Sequence, residues 1–515
     1  MDLSDLPKIG EPGSAAPFQL ERLKGWGLED LASACTTREQ ALLAHHCALY
    51  VRMVWQDLFG ETSEPPVAAL RHCVGELIGR PGMLERADRG AHLETGVDYR
   101  ASAADEDPAL YQASTGRRRD IRDGPAMKLR SLTLLLLAEL AAMSLWFVSA
   151  AVLPDMLREA AVSPFRQAAL SSGVQGGFVV GSLISAILNI PDRYDPRRVL
   201  AASAIAAGGV NALLLVVAPG SLTAIAARFA TGALLAGVYP VGMKIAVGWG
   251  ERDRGFLVGA LVGALALGSA SPYLIAFGGG ADWRLTVAAA SLASLFAGLL
   301  SLGVGLGPYH RTAQRFDPSV IVTAWTNRRV RLAYAGYLGH MWELYAMWAW
   351  VAAATAVSYG ATLPADDAEQ LAKLTAFLAI GAGAIACVPA GFAADRIGKA
   401  RVAMLAMIVS GAAAIGTAAT FGGPVWLTFA IVIVWGISII PDSAQFSALV
   451  ADAAPPAQAG SLMTFQTALG FALTFVTVQV TPVLAETFGW STVLFGLALG
   501  PAFGIAAMAR LQAMR

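Results

Sequence analysis

Twelve windows of about 20 consecutive, predominantly apolar residues follow Met127, and they constrain this chain more than any other feature. About 20 residues of helix cross roughly 30 Å of hydrocarbon. The windows fall near 129–153, 167–190, 198–218, 221–246, 254–278, 284–306, 330–357, 368–393, 401–421, 425–448, 459–485 and 490–511. A backbone in lipid must satisfy its own hydrogen bonds, and the alternating polarity of a membrane barrel is missing, so every window is expected to be a helix. Gly259, Gly263 and Gly268 in the fifth window suit close helix packing. Composition agrees. Only 14% of the 515 residues are charged and 56% are hydrophobic, against roughly 25% charged in ordinary soluble domains, which excludes most soluble enzyme classes.

The net charge of zero conceals two compositional pieces. Residues 1–126 hold 20 acidic and 14 basic side chains, net −6, whereas residues 127–515 hold 17 and 23, net +6. The first piece is expected to be a small cytoplasmic extension, helical around 42–58 and 67–78 and loop-like or disordered elsewhere, of unknown role. A second reading takes Met127, which opens the basic run Met-Lys-Leu-Arg, as the true start, with the preceding residues an extension of the gene model. Cys35, Cys47 and Cys73 lie in this piece without a C-x-x-C spacing, and His45 and His46 beside Cys47 are read as ordinary helix residues rather than a metal site.

Orientation follows from Lys and Arg in the short connections. With a cytoplasmic N-terminus, 21 cations lie on the inner side, while the outer segments hold only Arg158, Arg166, Arg284 and Lys373. Both termini are therefore expected in the cytoplasm, in a multi-pass protein of the bacterial inner (cytoplasmic) membrane.

The longest inner connection, 307–329, divides the spans into halves at 127–306 and 330–515. The halves repeat. Asp192-Arg193 followed by Arg198-Val199 recurs as Asp395-Arg396 and Arg401-Val402, an offset of 203 residues. At an offset of 201, Pro240 matches Pro441, Lys244 matches Gln445 and Glu139 meets His340. A duplicated six-span unit is how many secondary transporters build two rocking halves around a midplane site.

The segment Gly391-Phe-Ala-Ala-Asp395-Arg396-Ile-Gly398-Lys399 resembles the signature loop of the major facilitator superfamily, and Arg228-Phe-Ala-Thr-Gly232 resembles that family's R-x-x-x-G element. The resemblance covers residues 127–515. It implies an all-α fold of twelve transmembrane helices in two pseudo-symmetric halves, and a transporter rather than an enzyme. It also implies gating by Asp395 and Arg396, whose charge-assisted contacts between helix ends hold one conformation closed. In the first half the pattern is degraded, with Leu188 and Asp195 where glycines are expected, leaving Asp192 and Arg193 as gate candidates. The general character resembles the bacterial nitrate/nitrite and cyanate porter groups, but the arginines of nitrate porters have no equivalents here. Gly268-Ser-Ala-Ser-Pro272 likewise lacks the Gly-Pro pattern of drug/proton antiporters.

Charged and polar residues inside the spans are the candidate mechanism, because an intramembrane ionisable group normally faces the interior and is paired. Arg228 is expected to pair with Glu139, a couple that could open and close to bind and release protons. His340, Glu343, Met347 and Trp350 recur at helical spacing in the seventh span. There, His340 and Glu343 would offer hydrogen bonds, while Trp342, Tyr345 or Trp348 would stack on a solute. Asp442 beside Pro441, and Lys244 beside Pro240, are expected to gate or to contact the solute. No P-loop occurs, so the chain does not itself use ATP through one.

The reading is a secondary active transporter moving a small solute by alternating access, with proton coupling. The rival readings are a transporter-like sensor signalling through residues 1–126, or the permease subunit of an ATP-driven system. No cofactor, metal or nucleic acid is expected. The expected partners are the solute, protons and the bilayer, and a single twelve-helix unit suffices as a monomer.

Overall fold

The computed structural model describes residues 124–514, apart from 251–252, 280–281, 311–318 and 456–457. The extension up to residue 123, with its histidines and cysteines, lies outside the described residues.

Among the described residues, twelve long helices make up the fold and no strand occurs. In the first half they are α1 (Ala126–Glu159), α2 (Pro164–Ile187), α3 (Pro196–Leu215), α4 (Leu222–Val247), α5 (Gly255–Gly279) and α6 (Trp283–Ser301). The second half holds α7 (Arg328–Tyr359), α8 (Ala365–Ile397), α9 (Lys399–Ala419), α10 (Val425–Ala453), α11 (Ala459–Phe488) and α12 (Trp490–Gln512). Eleven of these are long and apolar enough by themselves to cross a membrane. The twelfth, α7, falls short in hydropathy because it carries His340, Glu343 and several tyrosines, yet most of its length is buried. Its polar groups face protein, where partners offset the cost of removing them from water.

The boundaries follow from local chemistry. Four helices begin on side-chain caps that satisfy otherwise orphaned amides: Asp195 accepts from Arg197 N, Ser221 from Ala224 N, Asp282 from Arg284 N, and Asn327 from Arg329 N and Val330 N. The α8–α9 turn is made by Gly398 at φ 97°, a conformation that a Cβ would strain.

The internal duplication expected from the sequence is present in the packing. In the first half α2 packs on α4, α3 on α6, and α1 on both α5 and α6; in the second half α8 packs on α10, α9 on α12, and α7 on both α11 and α12. The halves meet along α5 against α8 and α2 against α11. Gly263 permits the first approach, since a Cβ there would stand 3.2 Å from the Ala384 carbonyl oxygen. Gly268 instead serves α1, where a Cβ would collide with the Leu140 carbonyl. Gly259 has more room, its nearest neighbour being the Cys387 carbonyl at 3.9 Å.

Besides a one-residue break in α12 at Ala498, three long helices are interrupted, and these three position the site. In α4 regular helix stops at Leu235 and resumes at Tyr239, and in α10 it stops at Ile439 and resumes at Ser443. These repeat-related breaks coincide with Pro240 and Pro441, whose rings cannot donate to the helical ladder. In α1 the helix ends at Met143 and restarts at Val148, with neither proline nor glycine in Ser144-Leu-Trp-Phe147. The 307–329 connection carries a further short helix, Val320–Thr326, tied to α11's start through Thr323 and Gln458.

Candidate functional site

The α1 break frees backbone carbonyls in the bundle interior, and Arg228 of α4 collects them. Its Nη2 donates to the carbonyls of Leu145 and Trp146, each at 2.8 Å. Nη1 donates to Asn211 Oδ1 at 2.7 Å, and Nε to the Leu170 carbonyl at 3.4 Å. Every nitrogen of this wholly buried guanidinium is thus engaged. The expected pair with Glu139 is therefore corrected: Arg228 sits at the depth of residues 145–146, whereas Glu139 lies one and a half to two turns away along α1, about 10 Å at 1.5 Å per residue.

Glu139 occupies a different place. It is completely buried, and neither carboxylate oxygen has a hydrogen-bond partner in the protein. It lies against the second segment of α4, where a Cβ on Gly242 would stand 2.8 Å from Glu139 Oε2.

The second half holds the repeat-related arrangement. His340 of α7 places Nδ1 2.9 Å from Asp442 Oδ1 at the α10 break, both buried. One turn further, Glu343 accepts from Ser410 Oγ at 2.9 Å and from Trp435 Nε1 at 2.7 Å, so α7, α9 and α10 converge on it. His340, Glu343 and Asp442 are brought together as one buried acid-base cluster.

Beside these groups, aromatic rings from both halves fill the centre. Trp146 contacts Phe178, Tyr345 and Phe471, with centroids 5.0, 5.8 and 5.6 Å apart, and Phe147 meets Trp348 at 6.0 Å. Tyr345 also reaches Phe471 at 5.0 Å. Tyr273 of α5 adds a bond across the halves, donating to the Trp348 carbonyl at 2.7 Å. Tyr345 and Trp348 therefore take central places, but Trp342 does not. It is partly exposed, packs on Gly500 and donates to the Gly496 carbonyl of α12 at 3.2 Å, because its position on α7 turns it away from α1. Lys244 is also outside the centre: its Nζ donates to the Pro191 carbonyl in the α2–α3 connection.

The two ends of the bundle differ. At the end formed by the α1–α2 and α7–α8 connections, buried Lys373 donates to buried Asp155 at 2.8 Å, joining α8 to α1. Arg158 donates to Asp155 at 3.0 Å and to Glu369 at 2.6 Å. Glu369 also lies 3.4 Å from Lys373. Nearby, Ser172 donates to Gln479 at 2.6 Å between α2 and α11. In the sequence Arg158 and Lys373 stand out only as connection cations, and Asp155 and Glu369 carry no signal that singles them out. Asp155 and Lys373 lie too far apart in the chain for any periodicity to join them.

At the end with the α2–α3 and α8–α9 connections, Asp395, Arg396 and Arg193 are exposed. The Asp192 side chain lies outside the described residues. No ion pair between the halves is formed at this end among the described residues. A Cβ on Gly391 would meet open space, whereas Gly398 makes the turn. The degraded first copy solves the same reversal differently. Asn189 takes the left-handed conformation at φ 52°, a single helical turn follows, and Asp195 caps α3 while pairing with Arg197 at 2.6 Å. The Arg197 guanidinium holds the Asp195 carboxyl below its ordinary range.

Two six-helix repeats, broken helices at mid-bundle and buried charges between the halves define a membrane transporter. The sequence model of the Major Facilitator Superfamily matches residues 134–474, and the chain belongs to that family. Among solved structures, the chain is similar to a point mutant of the nucleoside transporter NupG, at 14% identity and TM-score 0.57, covering 75% of this chain and 99% of that one. It is also similar to a bacterial homolog of the human lysosomal transporter Spinster, in an inward-facing and occupied conformation, at 11% identity and TM-score 0.58, covering 75% and 96%. At these identities the likeness establishes the fold. A search of the curated proteins finds no match.

Proposed function

We propose that the chain is a proton-coupled secondary transporter that moves a small solute across the cytoplasmic membrane by alternating access. Glu139 and the His340–Asp442 pair are its proton-exchanging groups. The observation that carries this reading is Glu139, a fully buried carboxylate with no partner on either oxygen. Such a group in a membrane interior takes up either a proton or a cationic partner, and a change of surroundings between two states changes which it holds.

One-sided closure supports alternating access. Charges join the halves at the end of Asp155 and Lys373, while Asp395 and Arg396 at the other end are exposed. With the cation-rich connections in the cytoplasm, this conformation faces inward. In the opposite conformation Asp395 and Arg396 engage, and the Asp155–Lys373 junction opens.

The test uses the purified full-length protein alone in liposomes. A solute found by thermal stabilisation should accumulate when a pH gradient is imposed, without any ATPase. Accumulation that requires an added ATPase, or binding without flux, would reject this reading in favour of an ATP-driven permease or a sensor.

A further inference from the structure

We infer that the solute is an organic cation, whose ammonium group sits on Glu139 and whose apolar body lies against the central aromatic rings. This rests on reading the central cluster as the solute pathway. The internal symmetry is broken at this point. In the second half, His340 on α7 finds an acid, Asp442, on α10 at 2.9 Å. At the repeat-related places of the first half, the offset of 201 puts Glu139 where His340 stands and Val241 where Asp442 stands. The acid has moved to α1, where it lies against Gly242 of α4. One half carries an acid-base pair; the other carries an acid whose cationic complement is missing.

No basic side chain of the interior supplies that complement. Arg228 is engaged by the Leu145 and Trp146 carbonyls and Asn211, and His340 by Asp442. Lys373 is joined to Asp155 in the closed end, and Lys244 reaches Pro191. An anionic solute would enter an interior that already buries the three carboxyl groups of Glu139, Glu343 and Asp442. A neutral solute could hydrogen-bond the protonated Glu139 but would give its ionised form no opposing charge. Among the described residues, no group of three or more His, Cys, Asp or Glu could hold a metal ion, which turns the choice toward an organic cation.

The aromatic rings give the second, independent observation. Trp146 follows Glu139 by seven residues on α1, about 10 Å along the axis. Its ring stands 5.8 Å from Tyr345 and 5.6 Å from Phe471, so both halves contribute π-faces. Indole and phenol faces attract ammonium groups and pack against apolar bodies.

Binding to the purified full-length protein, without any gradient, tests this. Three cations of graded size (phenethylammonium, benzyltrimethylammonium and hexyltrimethylammonium) are compared with the anion phenylacetate by equilibrium dialysis. At least one cation should bind, E139Q should weaken it tenfold or more, and phenylacetate should neither bind nor compete. Phenylacetate binding as tightly as the cations, no binding by any of the three, or unchanged cation affinity in E139Q would each overturn the inference. The comparison of cations with anion uses the wild-type protein and stands even where the variant fails to fold. Because no gradient is applied, these outcomes leave proton coupling to be decided separately by flux.

Discussion

Arg228 donates to the carbonyl of Trp146 at 2.8 Å, and the Trp146 ring stands among aromatic side chains of both halves. One arginine of α4 thus fixes the backbone break of α1 and, through it, a side chain at the interface between the halves.

Removing that guanidinium takes a donor from the carbonyls of Leu145, Trp146 and Leu170 and from Asn211 Oδ1. R228A should therefore cost about 3 kcal/mol or more, since each unsatisfied buried group costs about 1–3 kcal/mol. Because Glu139 is not its partner, R228A and E139Q should combine additively, with a coupling under about 0.5 kcal/mol in thermal unfolding of the four proteins. A coupling well above about 1 kcal/mol would restore the direct pair.

Trp342 and Tyr345 are three residues apart on α7 but have opposite fates. W342F loses one hydrogen bond, to Gly496, and should cost about 1 kcal/mol without altering solute affinity. Y345A removes ring contacts with Trp146 and Phe471 and should weaken solute binding as well as stability. Dialysis with any bound solute separates the two.

The closed end depends on its buried pair rather than on its exposed one. K373M leaves Asp155 buried without its main partner and should cost the closed conformation about 3–5 kcal/mol. D366A, which removes an exposed carboxylate 3.4 Å from Arg158, should change it by less than about 1 kcal/mol. Spin labels on the ends of α1 and α8 should move apart in K373M and stay in place in D366A.

The two copies of the signature connection should respond differently to substitution. Gly398 holds φ 97°, so G398A should cost about 1–3 kcal/mol. Asp195 is a helix cap, so D195A should cost about 1 kcal/mol and D195N less, because asparagine caps equally well. The sign of the pH effect follows from the lowered Asp195 carboxyl. Its contribution is present above the ordinary carboxylate pKa of about 3.9 and is lost as pH falls through the lowered value. The D195N difference should therefore be flat between about pH 5 and 8, which unfolding series across that range would check.

The helices and their duplication were legible because burial in lipid leaves a continuous apolar record, and because Pro240 and Pro441 mark the paired breaks. The partner of Arg228 was not legible. It is backbone, released by a break in Ser144-Leu-Trp-Phe147 that carries no proline or glycine to announce it. His340, Glu343 and Asp442 could be chosen from the sequence as misplaced polar residues, but their pairing depends on how α7, α9 and α10 converge. The Asp155–Lys373 junction joins residues 218 positions apart and has no sequence signal beyond a charge at each helix end. Trp342 was misplaced because a helical stripe is narrow, and one position turns a side chain from the centre to α12.

Transport by E139Q in liposomes decides whether Glu139 couples solute movement to protons. At saturating solute, E139Q should still exchange labelled for unlabelled solute across the bilayer but no longer accumulate it when a pH gradient is imposed. Accumulation driven by the pH gradient to the wild-type level in E139Q would contradict that coupling.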